Sequence, residues 1–170
     1  MCGIAGFIDP DRLLADHREA LSLMSEAIRS RGPDGEGRLL DDAMGMGLAH
    51  RRLSIFDPSD RGSQPMTSAT GRFTIVFNGA IYNHPELRTE LEALGHAFRG
   101  SSDTEVMLAA FEQWGLPQSL DRFNGMFAFA LLDTAERLLH LVRDRMGQKP
   151  LLFATAGSVI AFSSDLRGLE

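Results

Sequence analysis

The sequence is poor in cysteine and tryptophan, with one of each in 170 residues. One cysteine forms neither an internal disulfide nor a cysteine-rich metal site, so the fold rests on its apolar core. No run of about 18 apolar residues is present to cross a membrane. The opening Met-Cys-Gly-Ile-Ala-Gly lacks the basic and long apolar regions of a signal peptide, so a cytoplasmic location is expected. Seventeen Lys and Arg against twenty-three Asp and Glu leave a net charge of −6. With no basic run, that balance argues against a nucleic-acid or membrane partner. His17, His50, His84, His96 and His140 form no HExxH pairing, and no P-loop, GxGxxG fingerprint or GxSxG elbow occurs. Chemistry is therefore expected from side chains, with no metal and no cofactor held in this domain.

What is present is apolar enough to fold, at 44% hydrophobic residues, and long enough for one domain spanning 1–170. No repeat or Gly/Ser linker divides it. Residues 3–8 read as a strand stopped by Asp9-Pro10. Leu14, Leu21, Met24 and Ile28 recur at helical spacing and end before the loop chemistry of Arg31-Gly32-Pro33-Asp34-Gly35. Residues 44–50 read as a strand feeding Arg51 to Ile55, and 57–66 as a polar loop. Phe73–Phe77 is a β-branched and aromatic strand running into Asn78-Gly79. A helix starts at Pro85 and stops at Gly95; a second carries the capping box Ser102 to Glu105 and leaves at Gly115. Residues 127–132 are apolar on both alternations, the pattern of a strand covered on both faces. Strands over 138–142, 151–155 and 159–163 complete a late antiparallel meander. The fold class expected is α+β, with stacked sheets between helical layers.

The one cysteine stands at position 2. A small second residue permits removal of the initiator methionine, which places a free α-amine and a thiol on one residue. With an amine pKa of about 7.7–8.0 and a thiol pKa of about 8.5, the amine can accept the thiol proton near neutral pH. One residue then serves as nucleophile and base, and no histidine is required.

Other residues offer partners, each with a plainer reading beside it. Asn78-Gly79 offers two donors to an oxyanion or forms a tight hairpin turn. Arg52 offers a bidentate guanidinium to a carboxylate, or is one solvated member of Arg51, Arg52 and Arg61. Asp103 offers a carboxylate to an ammonium group, or complements a helix dipole. Arg31, Asp34, Arg143, Asp144 and Arg145 read as structural ion pairs.

Eight segments occur in order: Met-Cys-Gly-Ile-Ala-Gly, Arg31-Gly-Pro-Asp34, His50-Arg-Arg-Leu-Ser-Ile55, Gln64-Pro-Met66, Phe77-Asn-Gly-Ala-Ile-Tyr-Asn-His84, Ser102-Asp-Thr-Glu105, Gly125-Met-Phe-Ala-Phe129 and Arg143-Asp-Arg-Met-Gly-Gln-Lys-Pro150. Together they closely resemble the glutaminase domain of class II glutamine amidotransferases, in the asparagine-synthetase-like branch. The resemblance implies an N-terminal-nucleophile hydrolase fold, a four-layer αββα sandwich with two stacked antiparallel sheets. It implies that Cys2 attacks the side-chain amide of L-glutamine and leaves a γ-glutamyl thioester that water cleaves. Asn78 and Gly79 would form the oxyanion hole, Arg52 would hold the α-carboxylate and Asp103 the α-ammonium. Backbone of Leu53, Ser54, Ile55 and Phe56 would line the pocket. Ala80 stands where the branch usually has glutamate, near the amino end of the substrate. The branch also continues into a synthetase domain with a Ser-Gly-Gly-x-Asp-Ser loop that this sequence does not show. An ATP-dependent synthetase domain or subunit is thus the expected partner for ammonia, and ATP and Mg are expected only there. Self-association stays open, as do two other functions: an idle glutamine-binding regulatory domain, or a Cys2-dependent hydrolase of another amide.

Overall fold

The computed structural model describes residues 1–53 and 62–170. Along the chain lie β1 (Gly3–Ile8), α1 (His17–Ala27), a 3₁₀ turn (Arg29–Arg31), β2 (Gly35–Asp41), β3 (Met46–Arg52), β4 (Met66–Thr67) and β5 (Phe73–Ile81). They are followed by α2 (His84–Ala93), α3 (Asp103–Arg122), β6 (Gly125–Asp133), β7 (Leu138–Arg143), β8 (Leu152–Ala156), β9 (Val159–Ser163) and a closing 3₁₀ turn (Leu166–Leu169). The first sheet has the order β2-β3-β1-β9-β8 and the second β4-β5-β6-β7. All of their pairings are antiparallel.

Strand alternation sets the layering. Ile75, Phe77, Phe127, Phe129 and Leu131 pack on Leu87, Leu91, Val106, Met107 and Phe111 of α2 and α3. The intervening Val76, Ala130 and Leu132 turn the other way, onto Ile4, Met46, Leu48 and Phe162 of the first sheet. On that sheet's outer face, Phe7 and Ala49 meet Leu21 of α1. The order is helix, sheet, sheet, helices, and β6 is covered on both faces as its apolar pattern requires.

Three local features differ from the sequence reading. β2 follows the turn cluster directly; as a half-exposed edge strand, it has no clean alternation to announce it. The late strands are not one meander, because β6 and β7 pair in the second sheet while β8 and β9 pair in the first. At the last helix, Gly115 (φ 77) breaks α3 as expected, but a further helical stretch containing Pro117 runs on to Arg122. Of the capping box, Ser102 accepts from the Glu105 amide at 3.3 Å, whereas Glu105 itself turns to the amides of Arg99 and Gly100 at 2.7 and 2.9 Å.

The loop that carries the chain from one sheet to the other is built on Asp144. Its carboxylate accepts from the amides of Phe127, Met146, Gln148 and Lys149 at 3.0–3.2 Å, while Arg143 Nη2 donates to the Gly147 carbonyl at 2.6 Å. These two residues bind backbone and are not the ion pair expected. Burial by itself would raise the Asp144 pKa, but the four amides more than reverse that and hold it below its ordinary value. The charged form is the bonded one. Its contribution is therefore complete above the ordinary aspartate pKa of about 3.9 and is lost as pH falls below it. Asp144→Asn is expected to lower stability by about 1–3 kcal/mol at neutral pH and to flatten the acid decline, as read by urea denaturation across pH 7 to 2.

Candidate active site

The same alternation that builds the core selects which side chains meet at the end of the inter-sheet layer. Ile4 faces the second sheet, so Cys2, two residues earlier, lies on that face. Ile4 pairs with His50 across the sheet, which puts His50 and Arg52 on it as well. In the opposing sheet Val76 points into the layer, and Asn78 and Ala80 follow it at the strand period. Cys2, Arg52, Asn78 and Ala80 thus share one end of the layer, where β1 and β3 pack against β5.

Hydrogen bonds fix the details. The Cys2 thiol lies 3.9 Å from the Leu53 carbonyl, a long contact to sulfur, and the Cys2 carbonyl accepts from Arg31 Nε at 3.2 Å. Arg31 belongs to a loop pressed onto the end of β3. A Cβ on Gly32 would stand 2.4 Å from Arg51 backbone, and the Asp34 amide donates to the Arg52 carbonyl at 3.0 Å. The two neighbouring arginines have separate tasks. Arg51 points outward to Glu26 at 2.8 Å and Glu36 at 3.0 Å, so it ties β3 to α1 and β2. Arg52, half-buried, is on the Cys2 side.

Asn78 and Gly79 are not a turn. They continue β5, opposite Ala128 and Phe127, and a Cβ on Gly79 would come within 2.4 Å of the Met126 carbonyl. Asn78 is 1% exposed, and its Nδ2 is buried without a hydrogen-bond partner among the described residues. An unpaired buried amide is costly. It leaves a fixed donor able to meet an acceptor from outside the described residues. A second buried donor without a partner, Arg31 Nη2, belongs to the residue that holds the Cys2 carbonyl.

At the far end of β5, Asp103 accepts from the Ile81 amide at 3.0 Å, and the Ile81 carbonyl meets His84 Nδ1 at 2.8 Å, which places the proton on that nitrogen. Burial raises the Asp103 pKa, against the lowering effects of the Ile81 amide, His84 and Thr104. A carboxylate in that state gains most from a cation brought to it. Ser54, Ile55 and Phe56, the remaining expected pocket residues, lie outside the described residues. Among the described residues no group of three His, Cys, Asp or Glu is placed to hold a metal.

Sequence reasoning gave no role to two residues that the structure makes central. Gln64 Oε1 accepts from the Phe77 amide at 2.6 Å, and its Nε2 donates to Thr104 Oγ1 at 3.3 Å. It therefore joins β5 to α3 between Asn78 and Asp103. His50, 2% exposed, lies near the Phe77 backbone across the layer, and its Nε2 is buried without a hydrogen-bond partner among the described residues. Only the motifs Gln64-Pro-Met66 and His50-Arg-Arg signalled them.

A profile described as "Glutamine amidotransferase domain" matches residues 1–170. The asparagine synthetases [glutamine-hydrolyzing] 3 and 1 of Bacillus subtilis (strain 168) are 37% and 39% identical over 99% of this chain. The chain spans 27% and 26% of their lengths. A glutamine phosphoribosylpyrophosphate amidotransferase from B. subtilis, solved with ADP and GMP, superposes with a TM-score of 0.82 at 20% identity, over 99% of this chain and 43% of its own. A structure titled as the allosteric regulatory enzyme of purine biosynthesis gives a TM-score of 0.80 at 18% identity, over the same shares. At these identities the likeness concerns the fold alone, two stacked antiparallel sheets between helical layers.

Burial is the main influence on His50 and pulls its pKa down to about 4, aided by the Arg52 charge and opposed by the Phe77 backbone. The folded chain keeps this imidazole neutral while the unfolded chain binds a proton near pH 6.5. Stability is therefore full above about pH 6.5 and declines as pH falls from there to about 4, by roughly 3 kcal/mol in all. His50→Gln is expected to remove this part of the pH dependence in urea titrations at pH 7, 6, 5 and 4.

Proposed function

The chain belongs to the glutamine amidotransferase domain family, and from that premise we propose that it hydrolyses the side-chain amide of L-glutamine to glutamate and ammonia. The observation that carries the reading is the buried, unpartnered Asn78 amide on the strand face opposite Cys2. It is a donor fixed in place before any substrate arrives, as oxyanion stabilisation requires.

In this proposal Met1 is removed and Cys2 begins the working chain. The Cys2 amine takes the thiol proton, directly or through a water, and sulfur bonds to the amide carbon of glutamine. Asn78 Nδ2 and the Gly79 amide receive the negative oxygen. Collapse breaks the carbon–nitrogen bond, the ammonium form of the amine returns its proton to the leaving nitrogen, and ammonia departs from a γ-glutamyl thioester. Water, deprotonated by the same amine, cleaves the thioester to glutamate and restores the thiol. Arg52 pairs with the substrate α-carboxylate and Asp103 with its α-ammonium. The substrate cation offsets the cost of keeping Asp103 charged in a buried place. Arg31 holds the Cys2 carbonyl and so aims the nucleophile.

The named relatives are glutamine-hydrolysing asparagine synthetases, and this chain matches about a quarter of their length. We therefore take the ammonia to be passed to an ATP-dependent synthetase domain or subunit that also holds the ATP and Mg. A cytoplasmic setting is part of this reading; among the described residues no helix is long and apolar enough to cross a membrane. Ala80 favours a second reading, an idle glutamine-binding domain, because it removes a side chain near the substrate amino end.

Glutamate release separates the two. We expect the wild-type chain, with Met1 absent by intact mass, to release glutamate from glutamine and Cys2→Ala to release none; equal rates would overturn the enzyme reading. Asn78→Ala should lower kcat roughly 100- to 1000-fold in a chain that thermal melting shows to be folded. Arg52→Met should act mainly on KM.

A further inference from the structure

The outer row of amides and carbonyls on an edge strand is open to pairing with another chain, and proteins guard such edges with charge, proline or brevity. Among the described residues, the edges other than β8 are guarded. β2 presents Glu36 and Arg38, β4 is two residues long, and β7 is half-buried and ends on Arg143. β8 closes one side of the first sheet, yet from Pro150 to Ser164 the sequence has no charged residue. Every residue of Leu152–Ala156 is exposed, so neither α1 nor the second sheet covers this strand. Phe153 pairs with Phe162 across the sheet and therefore stands on the inner face, with the apolar layer; it is nevertheless 69% exposed. Ile160 of β9, opposite Thr155 on that same face, is exposed too. Leu13, another exposed side chain, lies against the β8–β9 turn at Gly157. The first sheet thus overhangs the second, and the overhang is apolar on its face and unpaired along its edge.

We propose that β8 is an interface between two copies of this chain, the two strands pairing antiparallel about a two-fold axis and joining the first sheets into one continuous sheet. A second copy is the occupant that the strand itself specifies. About a two-fold axis an edge meets its own reversed copy, so donors face acceptors with no further fitting. The chain carries a net charge of −6, and two copies repel where charged surfaces meet; an edge without a charged side chain is where they approach most readily. With Ala154 on the axis, Phe153 of each copy stands beside Thr155 of the other, an aromatic next to a β-branched side chain, which is a favourable cross-strand neighbour. The two overhangs then form one apolar trough that takes in Phe153 and Ile160 of both copies. A two-fold contact of this kind closes at two copies, and the charged side chains of β2 keep the opposite edge from extending it. The inference is independent of the glutaminase reading, because it uses no residue of the candidate active site.

Sedimentation equilibrium over about 1–100 µM protein tests the pairing. The wild-type chain is expected to move from 18.7 kDa toward twice that mass as concentration rises. A chain that stays at the monomer mass throughout overturns the proposal and leaves the overhang to a different partner, such as a synthetase domain. Ala154 is exposed, so Ala154→Lys and Ala154→Glu keep the monomer folded, as melting temperature checks. Each sets like charges face to face on the axis and weakens dimerisation roughly tenfold or more, and the two variants mixed in equal amounts regain the dimer. Leu94→Lys, at an exposed apolar side chain ending α2, leaves the dimer as it was. A dimer that survives both Ala154 variants, one lost equally in Leu94→Lys, or a mixture that does not recover each overturns the β8 pairing. Amide hydrogen exchange needs no variant: over residues 152–156 it slows as the wild-type concentration rises, and exchange independent of concentration refutes the interface.

Discussion

The cost of burying an unpaired polar atom governs this molecule. Between its two sheets the layer is filled by Ile4, Met46, Leu48, Val76, Ala130, Leu132 and Phe162, which need no partners. Polar chemistry can enter only where that filling ends, and there several side chains bond across elements. Gln64 joins β5 to α3, Asp103 joins α3 to the end of β5, and Arg31 joins its turn to the start of β1. Against such a background the few unsatisfied donors stand out. The Asn78 amide is one of them, as is Arg31 Nη2, and its position is held from both sides by strand pairing and by the close approach at Gly79.

Much of this was legible in the sequence because alternation is a local property. The double apolar face of residues 127–132 required a covered strand, and the structure places helices on one side of it and a sheet on the other. The apolar run 3–8, the Pro85 start and the Gly115 break were likewise announced by neighbouring residues. The Asn-Gly dipeptide was ambiguous on local grounds, because a turn and a strand-borne oxyanion hole use the same two residues. Only the pairing of Asn78 with Ala128 shows that the two residues continue a strand and form no turn. The arginine pair is a similar case. Arg51 and Arg52 are indistinguishable by spacing alone, but strand parity sends one to α1 and the other to the face that carries Cys2.

What was not legible depends on contacts between distant segments. Nothing local tells that the chain changes sheets after β7, since the switch is made by Asp144 gathering four amides from two regions. β2 was hidden because a half-exposed edge has no face to declare. Gln64 and His50 are ordinary polar residues in the sequence. Each becomes informative only once its neighbours from another element are known.

The placement of Cys2 has one more consequence. Residues 2–170 carry one lysine, Lys149, which is buried, so beside it an α-amine at the half-buried Cys2 would be the more open to solvent-borne reagents. An aldehyde condenses with the amine and thiol of one cysteine to close a five-membered thiazolidine, removing nucleophile and base together. Sixteen arginines offer no competing amine to absorb such a reagent. An arrangement in which one residue did two jobs would therefore lose both in a single chemical event.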